Sequence, residues 1–87
     1  MDTTEIKDEN VLEFVIFCIE NLAETLHKSK KDIYKKLKDN NILNGYIVPE
    51  YKVLHTQSKS YIIDDLIKLM QERGVQIWLY IMAPIRR

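Results

Sequence analysis

The sequence predicts an all-α domain: a small bundle of three to four helices followed by an extended or strand-like apolar tail. Two observations carry this. Apolar residues recur at the 3.6-residue period of an amphipathic helix over two long stretches. The chain of 87 residues also has only two Gly and two Pro, 46% hydrophobic residues and 30% charged ones, which disfavours both disorder and a many-turned β design. A chain of this length has material for one core, so residues 1–87 read as a single domain with a frayed acidic start over 1–9 and an apolar tail over 75–87.

The first helix is predicted from Val11 to about residue 27. Val11, Val15, Cys18, Leu22 and Leu26 form its apolar stripe, flanked by Leu12, Phe14, Ile19 and Ala23. Asn10 is placed to cap it, with Glu13 positioned for a reciprocal contact. On a helical wheel Glu13, Glu20 and Glu24 share the polar side, and Phe17 falls among them. An aromatic there is either covered by another element or marks a contact surface.

Ser29 is the expected N-cap of a second helix over 30–39, with Ile33, Tyr34 and Leu37 inward and Lys31, Lys35, Lys36 and Lys38 outward. Asn40-Asn41 ends it. Residues 42–48 are ambiguous: Asn44-Gly45 signals a turn, and Tyr46-Ile47-Val48 reads as extended because the residue before Pro49 avoids the helical region. Pro49 suits the first position of a short helix through Leu54, and His55-Thr56-Gln57-Ser58 then breaks the chain.

The last predicted helix covers roughly 58–73. Ile62, Ile63, Leu66, Ile67, Leu69 and Met70 make its inner face, and Tyr61, Asp64, Asp65, Lys68 and Glu72 its outer face. An Asp64–Lys68 pair, two acids toward the N-terminal end, Arg73 in the last turn and Gly74 as the stop all support it. Beyond it, Val75-Gln-Ile-Trp-Leu-Tyr-Ile-Met is rich in β-formers with no second strand to pair with. Such a segment is expected to cap the helical core or to pair with another chain.

Formal net charge is zero, so no global field draws the chain to nucleic acid or an anionic membrane, yet the charge is unevenly placed. Residues 1–24 carry seven acids and one Lys; residues 25–38 carry six Lys and one Asp. The single Cys18 permits no internal disulfide. The start, Met-Asp-Thr-Thr-Glu, does not read as a signal peptide, and apolar runs such as Phe14–Ile19 and Ile77–Met82 are six residues each against about 20 for a membrane span. A cytoplasmic protein with no membrane partner is the expectation.

No pattern points to catalysis or to a cofactor. His27 and His55 stand apart from each other and from any HExxH or Cys pair, so no metal site is expected. Two Gly provide no phosphate-binding loop. Cys18 lies on the apolar stripe, where a thiol is inert packing. Asp64 and Asp65, as helix neighbours, point about 100° apart and do not converge on one substrate.

Two surfaces compete for a binding role. Tyr51-Lys-Val-Leu-His55-Thr56-Gln57-Ser58-Lys-Ser-Tyr61 is the densest run of hydrogen-bonding side chains. As plain structure it is a helix junction, with Thr56 or Ser58 capping the next helix and His55 satisfying the end of the previous one. As a site it is a small recognition pocket rimmed by His55, Gln57 and the two tyrosines.

Leu22 to Leu37, by contrast, is similar to a helix-turn-helix, with Ala23 in the first helix, a Ser cap on the second and Lys30, Lys31, Lys35 and Lys36 placed for phosphates. It departs from that pattern in having His27 where Gly is usual, Lys28 where an apolar residue is usual, and a first helix that extends far upstream. A solvated lysine face is the simpler reading.

The order Leu12-Glu-Phe-Val-Ile-Phe-Cys-Ile-Glu-Asn21, Asp32-Ile-Tyr34, Tyr46-Ile47 with Pro49, Tyr51 to Gln57 and Tyr61-Ile-Ile-Asp-Asp65 resembles a small bacterial family known as a domain of unknown function. The resemblance covers residues 11–74, and its most specific piece is Leu-His-Thr-Gln leading into Tyr-Ile-Ile-Asp-Asp. It implies no established activity. It also implies gene neighbours that resemble ADP-ribosyltransferase toxins, hence a protein partner and an accessory or antitoxin-like role. The expectation is therefore a non-enzymatic protein-interaction module, through a partner or self-association, using Phe17, Tyr51, His55, Thr56, Gln57, Tyr61, Trp78 and Tyr80. A dimeric helix-turn-helix DNA binder is the alternative.

Overall fold

The structure, a computed structural model, describes residues 8–75. The tail expectation, with Trp78 and Tyr80, and the frayed start lie almost wholly outside the described residues. Within them the chain is all helical: α1 (Glu9–Leu26), α2 (Lys30–Asp39), a π-helical turn (Leu43–Ile47), α3 (Tyr51–Leu54) and α4 (Lys59–Glu72). The helical class and the positions of all the expected helices agree with the sequence reading.

The starts are set by short polar side chains. Asp8 caps α1 by accepting from the Asn10 backbone N–H, so the helix begins two residues earlier than expected and Asn10 lies inside it. Ser29 and Ser58 cap α2 and α4 as expected, accepting from the N–H groups of Asp32 and Tyr61 at 3.0 and 3.1 Å. Asp64 and Asp65 fall in the second turn of α4 rather than the first.

The ends share one device. At residues 27, 41 and 74 the backbone turns left-handed, with φ of 57° at His27, 58° at Asn41 and 78° at Gly74. In each case the next N–H reaches back over the last turn: Lys28 to the Ala23 carbonyl, Ile42 to Leu37 and Val75 to Met70, at 3.0, 2.8 and 2.9 Å. Ile42 and Val75, the residues just past two of these turns, are buried and fasten those helix ends to the core. Arg73 lies just beyond α4 rather than in its last turn, and donates to the Asn40 carbonyl at 2.5 Å, tying the ends of α2 and α4 together.

Residues 42–48, whose sequence suggests a turn and an extended segment, instead hold the π-helical turn Leu43–Ile47. The Ile47 and Val48 N–H groups bond five residues back to Ile42 and Leu43, at 2.9 and 3.1 Å. Burial explains this: Ile42, Leu43 and Ile47 are all fully buried, and a wound segment can present all three to the core. Gly45 serves close approach, since a Cβ there would stand 2.5 Å from the Asn41 side chain. Pro49 lies in the turn before α3, two residues ahead of the helix start.

The core draws on every element, with Cys18, Leu22 and Leu26 of α1, Ile33 and Leu37 of α2, and Leu66 and Met70 of α4 all fully buried. No polar or charged side chain is buried among the described residues. No described helix is long and apolar enough to cross a membrane.

Candidate functional site

The wheel leaves Phe17 out of place on α1, and the fold resolves this by stacking. Phe17 is half-buried against the core and lies over Phe14, with ring centroids 6.1 Å apart and planes 19° from parallel. Phe14 in turn meets the edge of Tyr51 at 5.5 Å and 68°. Tyr51 stacks on His55 at 4.5 Å and 13°. Four rings thus run from the middle of α1 to the end of α3, each in a geometry that aromatic pairs favour.

This ladder joins three of the residues singled out from the sequence, Phe17, Tyr51 and His55, through a fourth, Phe14, that was read only as core. The Tyr51–His55 spacing of four residues, within helical backbone, was the available signal for their contact.

The ladder runs from interior to surface. Phe14 is buried, Phe17 and Tyr51 are half-buried, and His55 is exposed. Val53, two residues away and so on the opposite side of α3, is 60% exposed, and Tyr61 on α4 is 52% exposed. Thr56 donates its hydroxyl to the Val53 carbonyl at 2.8 Å, so it closes α3, and the capping of α4 falls to Ser58. The His55 backbone N–H satisfies the Tyr51 carbonyl at 3.0 Å, as expected of a residue finishing a helix. Gln57 is exposed.

The two tyrosines expected to rim one pocket have different surroundings. Tyr51 packs inward on Phe14, whereas Tyr61 lines a depression of about 300 Å³ with Asp64, Asp65 and Lys68. Exposed on α3 and the start of α4 are thus the His55 ring of the stack, Val53 on the other side of α3, and Tyr61.

Beside Tyr61 lies a contact the sequence did not reveal. The Tyr46 hydroxyl donates to the Asp65 carboxylate at 2.5 Å, across 19 residues of chain. That hydrogen bond to a carboxylate, aided by burial, pushes the Tyr46 phenol up to about 12. Tyr46 and Asp65 share a depression of about 270 Å³ with Lys68, Leu69 and Glu72. Asp65 is therefore engaged with a tyrosine, and the expected Asp64–Lys68 ion pair is not among the ion pairs formed by the described residues.

The lysines of the alternative reading lie on α2, which carries five lysines against two aspartates. Three of them are paired: Lys30 with Glu20 at 3.4 Å, Lys35 with Asp39 at 3.0 Å and Lys36 with Asp32 at 3.1 Å. Lys38 lies 6.0 Å from the centre of the Tyr34 ring, and Lys31 is exposed. Cys18 is fully buried, and desolvation pushes its thiol up to about 12, which suppresses the nucleophilic thiolate. Among the described residues no group of three or more His, Cys, Asp or Glu is arranged to hold a metal ion.

Comparison with protein families places this architecture. A family model described as "Protein of unknown function (DUF3791)" matches residues 13–73. The chain belongs to this family. The DUF3791 match begins one turn into α1 and ends at Arg73, so it takes in the whole aromatic ladder, the Tyr46–Asp65 contact and the α2 lysines. Leu12 and everything from Gly74 onward fall outside it. No curated protein and no solved structure matches the chain.

Proposed function

We propose that this DUF3791 protein is a non-enzymatic protein-interaction module whose contact surface is the ridge formed by α3 and the start of α4. Tyr51, Val53, His55 and Tyr61 supply the anchors, with Thr56 and Gln57 at the edge. The observation that carries this reading is the aromatic ladder. It roots the exposed His55 ring in the core through Tyr51, Phe14 and Phe17, so a partner meets a preorganised apolar surface and loses little side-chain entropy in ordering it. Exposed aromatic and aliphatic groups on a fixed support are the usual centres of binding energy.

An accessory or antitoxin-like role beside a bacterial toxin is the specific form of this proposal, and it rests on the resemblance of the Leu54–Gln57 and Tyr61–Asp65 stretches.

A second reading has one observation in its favour. His27 adopts the left-handed backbone that Gly supplies in a helix-turn-helix, and extended Ser29 follows, so the His27 departure does not prevent the turn. The ion pairs on Lys30, Lys35 and Lys36 weigh against it only slightly, since exposed pairs are weak and easily exchanged for a phosphate.

Affinity capture from the native host, followed by titration of the recovered protein with purified variants, separates these readings. Val53→Asp with Tyr61→Ala is expected to weaken the complex at least about tenfold. Binding that survives these changes but disappears on truncation after Gly74 would move the contact to the tail. Duplex DNA binding that falls steeply with salt, without a protein partner, would favour the α2 lysines.

A further inference from the structure

α1 carries an apolar strip that the described residues leave open. Leu12 and Ile16, one turn apart, are 41% and 45% exposed, whereas Ile19 and Ala23, which continue the same flank, are half-buried and buried. An acidic strip borders them: Glu9, Glu13 and Glu20 are all exposed and lie on the adjacent side of the helix. The ligand that fits is apolar with a basic end.

The chain itself contains one. Residues 76–87 include Ile77, Trp78, Leu79, Ile81 and Met82, have no acid, and end in Arg86-Arg87. They follow Val75, which is buried in the core to which α1 contributes. Twelve residues reach roughly 40 Å when extended, whereas α1, with 18 residues, is roughly 27 Å long.

We propose that residues 76–87 dock on the Leu12–Ile16 strip of their own α1, with the terminal arginines toward Glu9 and Glu13. This goes beyond the partner-binding reading and does not depend on it. It assigns the tail to the domain's own surface and leaves the α3–α4 ridge for the partner. An intramolecular segment meets its site at a high effective concentration, so weak contacts suffice to hold it.

Trp78 is the only tryptophan, so its fluorescence reports on the tail alone. In the full-length chain, acrylamide should quench Trp78 severalfold less than free tryptophan amide, equally at every protein concentration. Leu12→Ser with Ile16→Ser should raise quenching toward the free value while helicity by circular dichroism is kept, and Val53→Ser should leave it unchanged. Arg86→Glu with Arg87→Glu, which alters only the tail, should also raise it, and decides the matter alone should the serine variant lose helicity. Unprotected Trp78 in the unmodified chain, or protection indifferent to these substitutions, overturns the proposal. Protection lost on dilution also overturns it, because the strip would then belong to a second copy.

Discussion

The outer face of α2 and the ridge at α3 are both exposed, but they dispose of their side chains in opposite ways. On α2 three of the five lysines are paired locally: Asp32 and Asp39 take up Lys36 and Lys35 one turn away, and Glu20 of α1 takes up Lys30. On α3 the inward side of Tyr51 is bound into the core through Phe14, while Val53 and the stacked His55 ring face outward. A lysine-rich face therefore signals less about binding than its charge count implies. A short helix with few charges presents the better prepared surface.

The sharpest way to break this contrast is to remove its root. Phe14→Ala takes a buried ring from beneath both Phe17 and Tyr51 and should cost about 3 kcal/mol or more in urea unfolding. It should also free His55 from its stack, visible as a shift of the imidazole proton resonances toward exposed values. A loss well below 1 kcal/mol would show that the ladder contributes little to the fold.

A second test uses pH on the neighbouring Tyr46–Asp65 contact. Tyr46 titrates near 10 when unfolded and near 12 when folded, so its contribution to stability is complete below pH 10 and is lost as pH rises through 12. Cys18, raised from 9 to about 12 by burial, acts in the same direction. Thermal melting should therefore fall steeply from pH 10 to 12 in the unmodified chain and less steeply in Tyr46→Phe, which keeps only the Cys18 part. Equal slopes would show that the hydrogen bond to Asp65 is not maintained in solution.

His27→Gly addresses the turn between α1 and α2. Left-handed backbone costs a non-glycine residue about 1–2 kcal/mol, partly offset by the greater freedom of Gly in the unfolded chain. The variant should gain up to about 1 kcal/mol in thermal or urea unfolding, and a net loss would mean that the imidazole makes a stabilising contact.

The smallest effect is expected on α2. Lys35→Ala and Lys36→Ala each remove one i,i+4 pair and should each change stability by less than about 0.5 kcal/mol.

These contrasts also mark how far the sequence could be read. The 3.6 period and the cap residues Ser29 and Ser58 located α2 and α4 almost to the residue, because local rules govern helix starts. The segment around Tyr46-Ile47-Val48 reads as extended from its sequence because β-formers before a proline favour that state locally. Burial of Ile42, Leu43 and Ile47 overrides the preference. Asp8 displaced Asn10 as the α1 cap because either residue can serve and only the backbone chooses.

At the candidate site, the wheel marked Phe17 as anomalous, and the density of polar residues marked His55 to Ser58. That Phe14 would join Phe17 to Tyr51, or that Tyr46 would find Asp65, depends on contacts between distant segments that no local pattern encodes.

The most direct test of the interaction-module proposal is the affinity of the captured host protein for two variants matched in helicity. One is Val53→Asp with Tyr61→Ala on the ridge, and the other is Lys31→Glu with Lys35→Glu on α2. The ridge variant should bind at least about tenfold more weakly while the lysine variant binds as the unmodified chain does. The reverse ranking, with duplex DNA binding that the lysine variant abolishes, would contradict the assignment of the ridge as the contact surface.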